Sequence, residues 1–172
     1  MSDSEGFEIP EAEYSDEERI AGRLPPWDTH AEAAIITAAV TVATLCTEAV
    51  TLLLPMHFFS GKNRTIFQAI YDLAVAGEAV DIVIVVSRLR ETNRLAQVGG
   101  LAGVQEVIDS APVYMHVAKY ARAIRDAYRM RQLLELTREW QAAAYGSQGD
   151  KRMAIANGGF ADAQSILDRA SA

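Results

Sequence analysis

Apolar residues recur every third or fourth position along most of the chain from Thr29 onward, the spacing that places them on one face of an α-helix. Thr29 followed by Glu32 predicts a capping box at the start of the first helix. Ser60-Gly61-Lys62 predicts the start of another helix and Gly77 its end. The apolar stripe between them consists of Phe67, Ile70, Tyr71 and Ala74. The connections between such stretches are short, as between antiparallel helical neighbours.

One stretch fits either a helix or a strand. The β-branched run 82–86 has strand propensity, whereas Asp81 before it is a good N-cap for a helix. No second convincing strand is available to pair with it, so we predict a helix here. Gly99-Gly100 predicts the start of a further helix, which runs through Ser110 and is broken by Pro112. The predicted fold class is therefore all-α.

The segment 114–145 predicts one long helix whose apolar face changes along its length. The first half has its apolar side chains on one side: Val117, Tyr120, Ala121, Ile124 and Tyr128. The second half has them about 160° further round the same axis: Met130, Leu133, Leu136 and Trp140. We therefore expect the first half to close a globular core and the second half to pack against something else.

The C-terminal residues predict a second helical arm. After a turn, a helical stretch from 153 to 170 returns along the first arm, with Ile166 and Leu167 among its apolar positions. A two-helix arm cannot bury both of its faces alone, so we expect self-association through it. The predicted architecture is a globular helical head over 25–113 and a protruding two-helix hairpin over 114–172.

Charge is unevenly distributed along the chain. Residues 1–18 hold eight of the 23 acidic residues and none of the 16 basic residues, so the remainder is close to neutral. The net charge of −7 argues against a protein that coats nucleic acid, which needs a basic surplus. Residues 1–24, called the acidic segment below, have few large apolar side chains, and we expect them to be disordered.

The long helix also carries a basic stripe. The stripe consists of Lys119, Arg122, Arg125 and Arg129. It fits phosphate contact, docking of an acidic partner, or simply a solvated helix face. The acidic segment is a further candidate to fold back on it.

No enzyme chemistry is indicated. Gly61-Lys62 superficially resembles a phosphate-binding loop, but Met56 stands where the Walker pattern needs its first glycine and Asn63 where it needs Ser or Thr. The three histidines lack metal-ligand spacing, and Cys46, the single cysteine, fits an inert buried thiol better than a nucleophile. The start of the chain lacks a signal-peptide pattern, and no apolar run reaches the length of a membrane span. We expect a soluble cytoplasmic protein.

Several short motifs follow one another in a fixed order between Pro25-Pro26 and Arg131. They include Leu54-Pro55, Phe58-Phe59, Ile66-Phe67-Gln68-Ala69-Ile70, Val80-Asp81, Gly99-Gly100, Pro112 and Tyr120-Ala121. In this order the chain resembles the N-terminal domain of the DnaB-type hexameric bacterial replicative DNA helicases. The resemblance covers about residues 25–145 in register.

The chain departs from the family pattern in four positions and one absence. Ile36-Thr37 stands where the family usually has Leu-Gly, Asn63 where a His is common, and Ile84 at a usual Thr position. The linker helix and the RecA-like motor domain are absent from this sequence. ATP and magnesium belong to that motor, so we expect no cofactor here.

The resemblance implies a helical hairpin that pairs into dimers, with three dimers forming a collar above the motor ring of a hexamer. It also implies binding of DNA primase and, in some systems, of a helicase loader, with DNA contacted only indirectly and no membrane contact. The candidate residues of the hairpin interface are Met130, Leu133, Leu136, Trp140, Ile166 and Leu167. The candidates for partner contact are Arg122, Arg125 and Arg129.

Three functions are thus weighed. The first is a non-catalytic assembly and docking domain of a replicative helicase, which recruits primase or a loader. The second is a stand-alone adaptor that mimics this domain and regulates a helicase. The third, a DNA-binding module that uses the basic stripe, is disfavoured by the net charge and would show steeply salt-dependent affinity.

Overall fold

The computed structural model describes residues 25–111 and 114–145, together with Gly158 and Ser165. Within these residues the secondary structure is helical, with no strand, which confirms the all-α prediction. The α-helices are α1 (Thr29–Thr41), α2 (Ala43–Leu52), α3 (Gly61–Val75), α4 (Ile82–Glu91), α5 (Gly100–Asp109) and α6 (Val117–Tyr145). Short 3₁₀ helices at Pro55–His57 and Leu95–Val98 connect α2 to α3 and α4 to α5.

Helix α1 lies at the centre of the head. Residues 31–39 are all buried, because α2, α3, α5 and α6 pack around this helix. A helix that is apolar on every side is typical of such a position, and its many alanines let the neighbouring helices approach closely. The largest buried side chains around it include Phe58, Phe67, Leu73 and Leu89.

The start of α1 differs from the predicted capping box. Asp28, not Thr29, is the N-cap, and its carboxylate accepts a hydrogen bond from the Ala31 amide at 2.9 Å. Glu32 is buried and turns into the head instead of reaching back to the cap. The predicted capping box is therefore wrong, because Glu32 accepts hydrogen bonds from Phe59 and Asn63 inside the head instead.

An extended residue interrupts the helix between α1 and α2, at a position that the apolar spacing does not predict. Val42 is extended, with φ −136° and ψ 116°, so α1 ends at Thr41 and α2 starts at Ala43. The apolar repeat runs through this point without interruption, and the sequence analysis missed the break.

The predicted start of α3 and the predicted cap of α4 are confirmed. The Ser60 hydroxyl accepts from the Asn63 amide at 3.3 Å, and the Asp81 carboxylate accepts from the Ile84 amide at 2.8 Å. Helix α4 presents Val85, Val86 and Leu89 to the core. The strand alternative for 82–86 is therefore wrong, because the apolar residues of this segment are used at helical spacing.

Glycines set the entry to α5. Gly99 has φ +80° and Gly100 has φ +70°, conformations that residues with a side chain rarely adopt. A Cβ on Gly103 would lie 1.8 Å from the carbonyl oxygen of Val98, so this close approach of helix and turn requires glycine. The helix predicted to start at Gly99-Gly100 is present, while Pro112 lies outside the described residues.

Helix α6 is continuous over 29 residues and about 43 Å. Val117, Ala121 and Ile124 are buried against the head, whereas from 125 to 142 no residue reaches that degree of burial. The first half therefore closes the core, as predicted. Apart from Gly158 and Ser165, the second arm of the predicted hairpin falls outside the described residues, as do residues 1–24, so those predictions stand untested.

A candidate docking surface on the long helix

The basic and apolar candidates share one face of α6. At 100° per residue, Arg122, Arg125, Arg129, Leu133, Leu136 and Trp140 fall within an arc of about 80°, and Met130 lies about 60° beyond it. Because the helix is unbroken, the arginines precede the apolar residues along the same line. We call this line the outer face. The sequence predicts the two groups separately, although the same angular spacing places them on one face.

The apolar part of the outer face is not used by the head. Met130 is 51% exposed and Leu133, Leu136 and Trp140 are half-buried. None of these four belongs to the core cluster or to the apolar residues packed against it within the described part of the chain. Ile166 and Leu167, the other interface candidates, lie outside the described residues.

The three candidate arginines occupy different environments. Arg122 is exposed, whereas Arg125 and Arg129 are half-buried. Arg129 forms an ion pair with Asp126 at 2.8 Å, one turn earlier on the helix. The Nε atom of Arg125 is buried and has no hydrogen-bond partner.

A groove of about 770 Å³ lies between α6 and the segment that joins α2 to α3. Arg125, Tyr128 and Arg129 line one wall, and Leu54, Met56 and His57 line the other. Leu54 is 42% exposed and Met56 53% exposed, so the groove offers apolar surface beside positive charge. We call this the basic groove. Sequence reasoning missed it, because its two walls are about 70 residues apart along the chain and meet only through tertiary packing.

His57 contributes shape rather than charge to the basic groove. Its Nδ1 accepts a hydrogen bond from the Leu54 amide at 3.1 Å, and its ring packs at a tilt against Tyr128. Burial, followed by the charges of Arg125, Arg129 and Arg131, lowers the pKa of His57 from 6.5 to about 4. The imidazole is therefore neutral at pH 7, which its role as an acceptor requires.

Arg131 joins three parts of the molecule. Its guanidinium donates to the carbonyl oxygens of Pro26 at 2.8 Å and of His57 at 2.7 Å. It also lies 5.2 Å from the ring centroid of Phe59 and 5.7 Å from that of Tyr128. The planar fork of arginine suits this combination of two carbonyls and aromatic rings. Arg131 thus ties the residues before α1 to the wall of the basic groove and to α6.

Behind the groove, Glu32 holds the start of α3 to α1. Its carboxylate accepts from the amides of Phe59 at 2.6 Å and Ser60 at 3.3 Å, and from the side-chain amide of Asn63 at 3.0 Å. Burial raises the pKa of Glu32, against the opposing effect of these bonds and of the charge on Arg131. Asn63, which departs from the family pattern, thereby serves as a buried hydrogen-bond donor.

Neither a metal site nor a membrane-spanning helix is found in the described part of the chain. No group of three or more His, Cys, Asp or Glu side chains there is arranged to hold a metal ion. None of the helices described has the length and hydropathy of a membrane span. Cys46 is buried, and burial raises the pKa of its thiol, which favours the unreactive form.

The fold and the outer face define an all-helical head with one long projecting helix, and comparison with known proteins identifies its family. The family model described as DnaB-like helicase N terminal domain matches residues 24–126. The chain therefore belongs to the DnaB-like helicase N-terminal domain family. The resemblance inferred from the order of the motifs is confirmed.

Individual relatives agree with this assignment. The chain is 31% identical over 128 residues to the replicative DNA helicase DnaB of Treponema pallidum and 30% identical over 117 residues to that of Geobacillus stearothermophilus. These matches cover 74% and 68% of this chain but only 29% and 26% of the two helicases. The chain thus spans less than a third of the length of these relatives.

Solved structures show the same fold. The N-terminal domain of DnaB helicase from Mycobacterium tuberculosis superposes with a TM-score of 0.66 and 26% identity, over 86% of this chain and 96% of that domain. A DnaB-like replicative helicase, solved to show its interactions with primase, superposes with a TM-score of 0.60 and 21% identity, over 83% of this chain and 31% of the helicase. The second match supports the fold alone.

Proposed function

We propose that this chain is a non-catalytic assembly and docking domain of a replicative DNA helicase. The observation that carries the proposal is the outer face of α6, whose apolar residues Leu133, Leu136 and Trp140 extend beyond the head core. An apolar stripe on a projecting helix is stabilised when a second copy covers it. In this proposal the hairpins pair into dimers, and three dimers form the collar of a hexameric ring.

The same domain recruits DNA primase in this proposal. Its support is family membership, together with the matched structure of a DnaB-like replicative helicase and its interactions with primase. Arg122, Arg125 and Arg129 supply a charged surface beside the apolar stripe, suited to an acidic partner. A helicase loader is a second candidate for this surface.

In this proposal, catalysis is carried out by a motor domain and not by this domain. The chain matches less than a third of each relative described above, and it contains no Walker pattern. ATP and magnesium would serve a motor domain, so we propose no cofactor for this domain, and we place its action in the bacterial cytoplasm. The comparisons give no support to the alternative of a stand-alone adaptor, and we do not pursue it.

Binding of the full chain to the primase of the same organism tests the docking function. We expect titration calorimetry to detect a complex that Arg122→Gln with Arg125→Gln and Arg129→Gln weakens at least about tenfold, because charge-assisted contacts are worth about 1.5–3 kcal/mol each. Arg90→Gln with Arg94→Gln, two exposed arginines of the head, is the control and should bind like the unmodified chain. Absence of any complex with the unmodified chain would contradict primase recruitment.

A further inference from the structure

The basic groove combines three properties that favour an acidic, partly apolar ligand. Arg125 and Arg129 line it and are half-buried, which strengthens their interaction with an anion relative to a fully solvated charge. Leu54 and Met56 expose apolar surface along its opposite wall. The buried Nε of Arg125 has no acceptor, and such a donor gains free energy when a carboxylate reaches it.

We propose that the acidic segment of the same chain, residues 1–24, docks in the basic groove. Its composition is complementary to the two walls. Residues 1–18 hold eight acidic residues and no basic one, and Phe7, Ile9 and Tyr14 are interspersed among them. Carboxylates of the segment pair with Arg125 and Arg129, while an apolar side chain covers Leu54 and Met56.

The attachment point of the acidic segment favours this occupant over a free acidic peptide. Arg131 binds the carbonyl of Pro26 with one nitrogen and that of the groove residue His57 with another. The segment therefore starts beside the groove, and tethering gives it an effective concentration of about a millimolar or more without any ordering of a second molecule.

The reach of the segment is sufficient. Asp16, Glu17 and Glu18 precede Pro26 by eight to ten residues, which span up to about 27–34 Å when extended. Arg125 lies six residues before Arg131 on α6, about 9 Å along the helix axis. The acids nearest the head can therefore reach the arginines with slack to spare.

With this docking, the acidic segment of the same chain occupies the basic groove at low ionic strength. An acidic partner must then displace the segment, so occupancy of the groove is salt-dependent and competitive. The proposal concerns a contact within one chain and does not depend on self-association or on primase binding.

Paramagnetic relaxation measured on the full chain tests the proposal. A spin label is attached at Ser15→Cys in a Cys46→Ala background, and the methionine methyl groups are observed by NMR. At about 10 mM salt, where the Debye length is about 30 Å, the label should reduce the Met56 signal about threefold or more relative to the reduced label. Met115, which is 60% exposed and lies outside the groove, should lose little intensity.

Three variants of the same labelled chain decide the cause. Arg125→Gln with Arg129→Gln should restore the Met56 signal, and so should Asp16→Asn with Glu17→Gln and Glu18→Gln, which leaves the groove itself unchanged. Arg90→Gln with Arg94→Gln removes the same charge from the head and should not restore it. Circular dichroism checks that each variant keeps its helical content.

Three results would overturn the proposal. The first is equal loss of signal at Met56 and Met115. The second is a Met56 effect that survives the substitution of Asp16, Glu17 and Glu18. The third is a Met56 effect that appears when labelled chains without observable methyl groups are mixed with unlabelled observable chains, because that would assign the groove to a second copy.

Discussion

At the residue scale, the buried Glu32 and the half-buried His57 give the domain opposite responses to pH. Glu32 has a raised pKa, and His57 has a pKa lowered to about 4. In both cases burial is the largest cause, because it disfavours the charged form of each group. Each shift therefore predicts a titration that a variant can remove.

His57 should titrate at about 4 rather than 6.5. Because its pKa is lowered in the folded state, the stability that its neutral form contributes is present above pH 6.5 and is lost as the pH falls through about 4. Arg125→Gln should raise the pKa of His57 part of the way back, since it removes one positive charge and leaves the burial unchanged. Imidazole chemical shifts followed by NMR measure both values, and a midpoint near 6.5 in the unmodified chain would refute this account of the groove.

Glu32 should be replaceable by glutamine but not by alanine. Glutamine can still accept from the Phe59 amide and, with the Asn63 side chain turned over, donate to Asn63. Glu32→Ala removes the acceptor of the buried Asn63 side chain and of the part-buried Phe59 and Ser60 amides, so we expect it to lower the free energy of unfolding by about 2–4 kcal/mol. Urea denaturation at pH 7 measures both variants.

The pH dependence of the same pair gives an independent check. Since the folded-state pKa of Glu32 is raised, its contribution to stability is fully present below pH 4.5 and is lost as the pH rises through the folded-state value. The stability of the unmodified chain relative to Glu32→Gln should therefore fall from pH 4.5 towards pH 7. A relative gain over that range would show that the hydrogen bonds outweigh burial.

At the scale of elements, the described helices divide into those that the sequence predicts and those that packing decides. The helix start at Ser60-Gly61-Lys62 and the cap at Asp81 are local signals, and both predictions are correct. The inward turn of Glu32 depends on Phe59 and Asn63, which are distant in sequence, so local patterns did not reveal it. The break at Val42 has no sequence signal in the apolar spacing. Sequence periodicity detects the face of a helix but not the element that will cover it.

The candidate surface divides in the same way. The change of apolar face along α6 was readable at 100° per residue, and the continuity of the helix then joins the arginines to Leu133, Leu136 and Trp140. The basic groove could not be predicted from the sequence, because Leu54 and Met56 come near Arg125 only through the packing of α2 against α6.

Arg131 provides the test of how these elements are held together. Arg131→Lys retains the charge but cannot serve both carbonyls with a planar fork or stack in the same way on Phe59, so it should lower the free energy of unfolding by about 1–3 kcal/mol. Amide hydrogen exchange should also quicken at Trp27 and Asp28, which precede α1 and lie beside this contact.

Arg122→Lys is the matched control for that prediction. Arg122 is exposed and lies nine residues earlier on α6. Its substitution should change stability by no more than about 0.5 kcal/mol. An equal effect of the two substitutions would mean that Arg131 acts through its charge and not through the fork.

At the scale of the whole molecule, the account rests on the separation of two surfaces along α6. The first half of the helix packs against the head, with Val117, Ala121 and Ile124 buried. The second half carries an apolar stripe that the described head leaves uncovered, and the basic groove lies where the two halves meet. We propose that a domain built in this way assembles through the apolar stripe and binds partners at the basic groove.

The most direct test of this account is the mass of the full chain by sedimentation equilibrium over a range of micromolar concentrations. A single chain has a mass of 18.7 kDa, and we predict a dimer or a higher multiple that Leu133→Asp with Trp140→Ala shifts towards the monomer. Arg90→Gln with Arg94→Gln should leave the mass unchanged, and circular dichroism should show helical content retained in both variants. A strict monomer at every concentration, or an oligomer that the double substitution does not weaken, would contradict assembly through the outer face.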